Sequence, residues 1–180
     1  MKVLFICTGN ICRSPMGELL LPQFMPDLES DSAGTRGLVA HEIAPNSKRL
    51  LDQHGIDSSS FRAKRVTPQI AQGSDLILCF EHEQRKEIAV IAPTAARKTF
   101  LSTISPTCAS TARNRGTWGG NTRQEKLNRY RHASMIRPMI PDTNNVEDPI
   151  GKDFAVYQAA YDEICKALQT IANTNRLKKR

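Results

Sequence analysis

The sequence predicts an α/β fold, a parallel sheet covered by helices on both faces, and three observations carry that reading. Lys2–Cys7 and Asp75–Phe80 are short apolar runs rich in branched and aromatic residues, as expected of strands buried on both sides. Each is followed by a stretch with helical start signals. A long amphipathic helix is predicted from Asp153 to about Asn173, where Phe154, Val156, Tyr157, Tyr161, Ile164, Cys165, Leu168 and Ile171 fall on one face. Strands that alternate with helices imply right-handed crossovers, and sites in such folds gather at the carboxyl ends of the strands.

The elements follow in order. The first strand stops at Thr8-Gly9-Asn10, and Arg13-Ser14-Pro15 opens a helix through Met16-Gly17-Glu18-Leu19-Leu20-Leu21, with proline in the first turn. Ser30–Gly34 is a weaker strand ended by glycine. Asn46 is expected to cap a helix through His54, with Leu50 and Leu51 as its apolar stripe and Gly55 at its stop. After the strand at 75–80, a polar helix is expected from about Glu83 to Ile91, closed by Pro93, and Lys98–Leu101 is a fourth short strand. Residues 105–145 break this rhythm. They are rich in Ser, Thr, Asn, Gly and Arg, and a stretch of that length is expected to be a lid or a mobile insertion.

Composition limits the classes that remain. At 180 residues, 39% hydrophobic and 24% charged, the chain is expected to form a single globular domain over 1–180. No run is long enough for a signal-peptide core or a membrane span, so a cytoplasmic protein with no membrane partner is expected. Cysteines at 7, 12, 79, 108 and 165 are odd in number and lack zinc spacing, which makes reduced thiols the expectation. The four histidines are scattered, and neither a metal nor another cofactor is expected. The net charge of +7 is concentrated at 105–146, with seven basic and two acidic side chains, and in a basic tail at 176–180. No recognition motif accompanies it, so no nucleic-acid partner is expected.

The chemistry is concentrated in Cys7-Thr8-Gly9-Asn10-Ile11-Cys12-Arg13-Ser14, which leaves a buried strand and enters a helix. Such a loop can turn consecutive N–H groups inward as an anion nest backed by the helix N-terminus. Gly9 is expected to supply the torsions of the curl. Arg13 adds a planar fork for two phosphate oxygens. The same positive field favours the thiolate of Cys7, and Ser14 is placed to donate a hydrogen bond to it. A nucleophilic sulfur beneath a phosphate also needs an acid for the leaving oxygen, and Asp148, in Val146-Glu147-Asp148-Pro149-Ile150-Gly151, is the candidate.

With these residues in view, the chain resembles the low-molecular-weight protein tyrosine phosphatases, of a bacterial type. The resemblance covers about residues 2–104 and 146–172: the run from Val3 to Met16, then Ser32-Ala33-Gly34-Thr35, His54-Gly55-Ile56, Asp75-Leu76-Ile77-Leu78 and Asp148-Pro149. It implies a four-stranded parallel sheet with a phosphatase P-loop after the first strand. It implies Cys7 as nucleophile, Arg13 as phosphate binder with the loop Thr8–Ser14, and Asp148 as general acid. It further implies that Asn10, Ser14 and Ser32 brace the loop, that Cys12 is a second cysteine able to bond reversibly to Cys7 on oxidation, and that the partners are a phosphotyrosine protein and a bacterial tyrosine kinase. The oligomeric state is left open.

Three departures set expectations of their own. Phe61 stands where many members carry histidine, so part of the bracing must differ. Ile150 stands where an aromatic residue commonly walls the substrate ring, and the segment at 105–145 is longer than in compact members.

The alternatives are an arsenate reductase on the same fold, a phosphoarginine phosphatase, and a redox or phosphate-sensing module. The first needs resolving cysteines, and only Cys79 lies near their place. The second tends to carry threonine where Ile11 stands, whereas Ile11 favours a phosphotyrosine ring. The third is disfavoured by the presence of Cys7, Arg13 and Asp148 together.

Overall fold

Four parallel strands, β1 (Lys2–Cys7), β2 (Glu29–Gly34), β3 (Leu76–Cys79) and β4 (Thr99–Leu101), form one sheet in the order β2-β1-β3-β4. The computed structural model describes residues 1–102 and 144–176, with side chains through Ala172. The insertion predicted at 105–145 therefore lies outside the described residues except for Asn144 and Asn145, and so does the basic tail after Arg176.

The continuous apolar run of β1 has a direct cause: its side chains alternate between two cores. Val3, Phe5 and Cys7 join Leu76 and Leu78 on one face, beneath α1 (Arg13–Phe24), α2 (Pro45–Gln53) and the C-terminal helix α5 (Phe154–Arg176). Leu4 and Ile6 join Ile77 and Cys79 on the other, beneath α3 (Pro68–Gln72) and α4 (His82–Ile91). Packing of α1 on β1 is close at Gly17, where a Cβ would come within 2.5 Å of the Phe5 ring.

The helix that the sequence places from Asn46 instead begins at Pro45, with Ala44 as its N-cap. Proline's fixed φ and missing N–H suit the first helical position, which outweighs the capping preference of asparagine. Two elements have no counterpart in the sequence reading. One is the five-residue α3, capped where Thr67 Oγ1 accepts from Ile70 N at 3.2 Å. The other is a 3-10 turn over Pro93–Lys98, which shortens the fourth strand by a residue. Both are too short for a hydrophobic period to reveal.

The chain enters β2 on one side of β1 and β3 on the other, so the order reverses beside β1. The carboxyl ends of β1 and β3 meet there, and a crevice at such a switch point is where ligands bind in this class of fold.

Candidate active site

The loop Thr8–Cys12 joins β1 to α1, and Arg13 and Ser14 are the first two residues of the helix. Its carbonyls face a strap formed by residues 35–44. Cys7 O accepts from Thr35 N at 2.9 Å, Thr8 O from Arg36 N at 2.9 Å, Gly9 O from Leu38 N at 3.0 Å and Ile11 O from Ala44 N at 2.8 Å. A trans peptide directs its N–H opposite to its C=O, and no peptide here is cis. The amides of these units therefore face away from the strap. One of them, Asn10 N, donates to Cys7 Sγ at 3.2 Å, which fixes the direction in which the others turn. The N–H groups of Gly9, Ile11, Cys12, Arg13 and Ser14 have no acceptor among the described residues. Amides of this kind at a helix N-terminus make an anion nest.

The curl depends on Asn10, not on Gly9. Asn10 has φ 59°, whereas Gly9 stays outside the left-handed region, so the expectation placed on the glycine is corrected. An asparagine tolerates that torsion when its side chain is held, and here every polar atom of the amide is engaged. Lys64 N donates to Asn10 Oδ1 at 2.8 Å, so Nδ2 must be the donor towards Ser14 Oγ at 2.9 Å and Ser32 Oγ at 2.8 Å. Ser14 then has its own proton for Cys7 Sγ, 2.9 Å away. Ser32 Oγ donates to Glu18 Oε2 at 2.5 Å. The chain of donors runs from the Lys64 backbone through Asn10 and Ser14 to the sulfur. Burial raises the Glu18 carboxyl above its ordinary value, with the Ser32 hydrogen bond opposing the shift. Phe61 takes no part and packs into the core, so the bracing expected to differ closes on Glu18 and the Lys64 amide.

Arg13 is 1% exposed, and most of its donors are committed. One terminal nitrogen donates to Glu81 Oε1 and, at 2.8 Å, to Val146 O; the other lies 2.8 Å from Asp148 Oδ2. Nε is buried and has no partner in the protein. Asp148 accepts from Ile150 N at 3.2 Å through its other oxygen, which fixes the turn before α5. Arg13 and Asp148 are thus in direct contact, and Cys7 lies six residues before Arg13 at the end of β1.

Cys12 is buried and 3.9 Å from the Tyr157 hydroxyl, and burial pushes its thiol up to about 11. It is a protonated thiol at neutral pH. Cys79 is fully buried in β3 and is also pushed up by burial. Among the described residues no group of three or more histidine, cysteine, aspartate or glutamate side chains is arranged to hold a metal ion.

The sequence reading missed Glu81, the carboxylate that orients Arg13. It directly follows Phe80 at the carboxyl end of the second apolar run, where the switch-point rule places functional groups. Nothing in the residue pattern marks Val146 O, a backbone acceptor.

Residues 2–105, which hold the sheet and the loop, match the profile of a known family, described as low molecular weight phosphotyrosine protein phosphatase. The chain belongs to this family. The low molecular weight protein-tyrosine-phosphatase Etp of Escherichia coli K12 is 38% identical over 100 residues, covering 56% of this chain and 68% of its own length. The probable low molecular weight protein-tyrosine-phosphatase EpsP of Ralstonia solanacearum is 38% identical over 98 residues, or 54% and 68% of the two lengths. The tyrosine phosphatase Wzb from Escherichia coli K30, solved with sulphate, has a TM-score of 0.71 at 26% identity, covering 96% of both chains. The arginine phosphatase YwlE from Geobacillus stearothermophilus has the same fold, with a TM-score of 0.71 at 24% identity and coverage of 99% and 97%.

Close approach of the strap to the loop in this phosphatase-family chain gives a test of the nest. A Cβ on Gly34 would lie 2.6 Å from Thr8 O and 2.7 Å from Gly37 Cα, both backbone atoms that cannot turn aside. Gly34→Ala is expected to cost about 1–3 kcal/mol in urea unfolding. It should also lower turnover, because the Thr8 peptide moves with the strap. Wild-type activity in a folded Gly34→Ala protein would contradict the assignment of that peptide to the site.

Proposed function

We propose that the chain is a protein tyrosine phosphatase that hydrolyses phosphotyrosine through a phosphocysteine on Cys7. The observation that carries this is the set of unpaired loop amides on the side of the loop where Asn10 N and Ser14 Oγ contact the Cys7 sulfur. A cysteine sulfur with two hydrogen-bond donors beneath an anion nest is built for phosphoryl transfer to sulfur. Arg13 Nε and the second hydrogen of the nitrogen that faces Asp148 are the donors left for phosphate oxygens, with the loop Thr8–Ser14 holding the rest of the dianion.

Cys7 Sγ attacks phosphorus in line as the ester oxygen departs. Breaking the P–O bond leaves an alkoxide or phenolate that takes its proton from Asp148. Water then attacks the phosphocysteine, its proton goes to Asp148, and the P–S bond breaks to return the thiolate and release inorganic phosphate. The incoming phosphate competes with Asp148 for the Arg13 guanidinium, which frees the carboxyl for the leaving oxygen.

Ile11 and the exposed Leu38, Val39 and Ile150 supply apolar surface near the loop and the Asp148 turn, suited to an aromatic ring. That favours phosphotyrosine over phosphoarginine. The full burial of Cys79 argues against a thiol relay to arsenate. We read residues 1–180 as one phosphatase domain acting in the cytoplasm on a phosphotyrosine protein made by a partner kinase; no described helix is long and apolar enough to cross a membrane.

Hydrolysis of aryl phosphates by Asp148→Asn tests the assignment. Phenyl phosphate, with its poor leaving group, is expected to be cleaved roughly 100-fold more slowly or worse. In kcat/KM, which reports formation of the phosphocysteine and not its hydrolysis, a dinitrophenyl phosphate, which departs without a proton, should lose less than about tenfold. Equal losses on the two substrates would remove Asp148 from the role of acid.

A further inference from the structure

Gln84, in the first turn of α4, is a polar side chain only 1% exposed, and the proposed mechanism has not used it. Its Oε1 accepts from Phe80 N at 3.0 Å and from Glu81 N at 3.2 Å. Its Nε2 donates to Thr8 Oγ1 at 3.3 Å. The Glu81 side chain in turn accepts from the Gln84 backbone, completing a reciprocal capping box.

The two residues whose N–H groups Gln84 holds are connected to both acceptors of one Arg13 nitrogen. Glu81 Oε1 is the first of these. Val146 O is the second, and Val146 N donates to Phe80 O at 2.9 Å, so Val146 is hung from the Phe80 residue whose N–H Gln84 holds. His82 N donates to Asn145 Oδ1 at 3.1 Å, a second tie between the start of α4 and the segment that leads to Asp148. A single buried amide is therefore bonded to the anion loop at one end and to the anchor of Arg13 and the acid loop at the other.

We propose that Gln84 is a positioning residue that sets Arg13 and Asp148 in register with the anion loop. The inference rests on the phosphatase reading above. A capping glutamine with a purely structural role would satisfy the helix end and leave the relation between loop and acid unaffected. Misplacing catalytic groups by about an ångström costs on the order of 100-fold in rate. The signature is a loss that depends on the leaving group, because Asp148 is displaced together with Val146.

The test uses the full chain, with Gln84→Met, which keeps length and burial but makes none of these bonds, and Thr8→Val, which removes only the acceptor of Nε2. For Gln84→Met the expected result is a fall in kcat/KM of roughly 10- to 100-fold on p-nitrophenyl phosphate and a larger fall on phenyl phosphate. Thr8→Val should give a smaller loss, and the double variant should lose less than the product of the two single effects. Affinity for inorganic phosphate, read by calorimetry, should weaken in both without any turnover. A folded Gln84→Met protein with equal losses on the two substrates and unchanged phosphate affinity would overturn the proposal. Where Gln84→Met does not fold, Thr8→Val decides alone through the leaving group: a larger fall in kcat/KM on phenyl phosphate than on p-nitrophenyl phosphate supports the proposal, and equal falls, the result of damage to the phosphate loop only, overturn it. A wild-type protein that binds phosphate yet hydrolyses neither substrate sinks the phosphatase reading instead, while the binding comparison between variants still tests Gln84.

Discussion

Cys7→Ala is expected to abolish hydrolysis of aryl phosphates, with a loss of at least about 10⁴-fold, while the protein stays folded. In the mechanism proposed above the sulfur forms and breaks the only covalent bond between the protein and the phosphoryl group, so its removal stops the reaction. Asn10 N and Ser14 Oγ would then point at a methyl group and lose the sulfur as their acceptor. The nest and Arg13 remain, so the variant should still bind inorganic phosphate. Alanine is the appropriate replacement because a serine hydroxyl in the same place could itself accept a phosphoryl group. Residual turnover within about tenfold of wild type would place the nucleophile elsewhere.

Arg13→Lys is expected to lower kcat/KM by roughly 10²- to 10³-fold even though the charge is kept. The guanidinium directs donors to Glu81, Val146 O and Asp148, and still has Nε for the substrate. An ammonium group places three donors on one atom and cannot reach acceptors spread around a plane. Glu81 and Asp148 would also be left as two carboxylates beside a single mobile charge, which opposes entry of a dianion. Steady-state kinetics on wild type, Arg13→Lys and Arg13→Ala check this. A lysine variant within threefold of wild type would mean that Arg13 contributes charge alone.

The sheet was legible because β1 and β3 are buried on both faces and write that burial as uninterrupted apolar runs. The long C-terminal helix was legible because its one buried face repeats over more than five turns. By contrast α3 and the 3-10 turn at 93–98 are set by prolines and local hydrogen bonds within five or six residues, too few for any period. Within the site, side chains that act through their own chemistry, such as Cys7 and Arg13, stood out by spacing and loop context. The partners that orient them did not. Glu81 follows β3, Gln84 lies in the first turn of α4, Glu18 lies within α1, and Lys64 and Val146 act through the backbone, so their roles exist only once the chain has folded. The Gly9 expectation failed for a related reason: composition suggests glycine for a curl, whereas here a fully bonded asparagine adopts the left-handed torsion.

Rapid acid quenching of Asp148→Asn during turnover of p-nitrophenyl phosphate, followed by intact-mass and peptide analysis, examines the phosphocysteine directly. That variant lacks the base for the second step, so the intermediate should accumulate. The expected result is a protein heavier by one phosphoryl group, carried on the peptide containing Cys7 and absent from Cys7→Ala. Continued product release with no such adduct, or a phosphoryl group on another residue, would contradict the account.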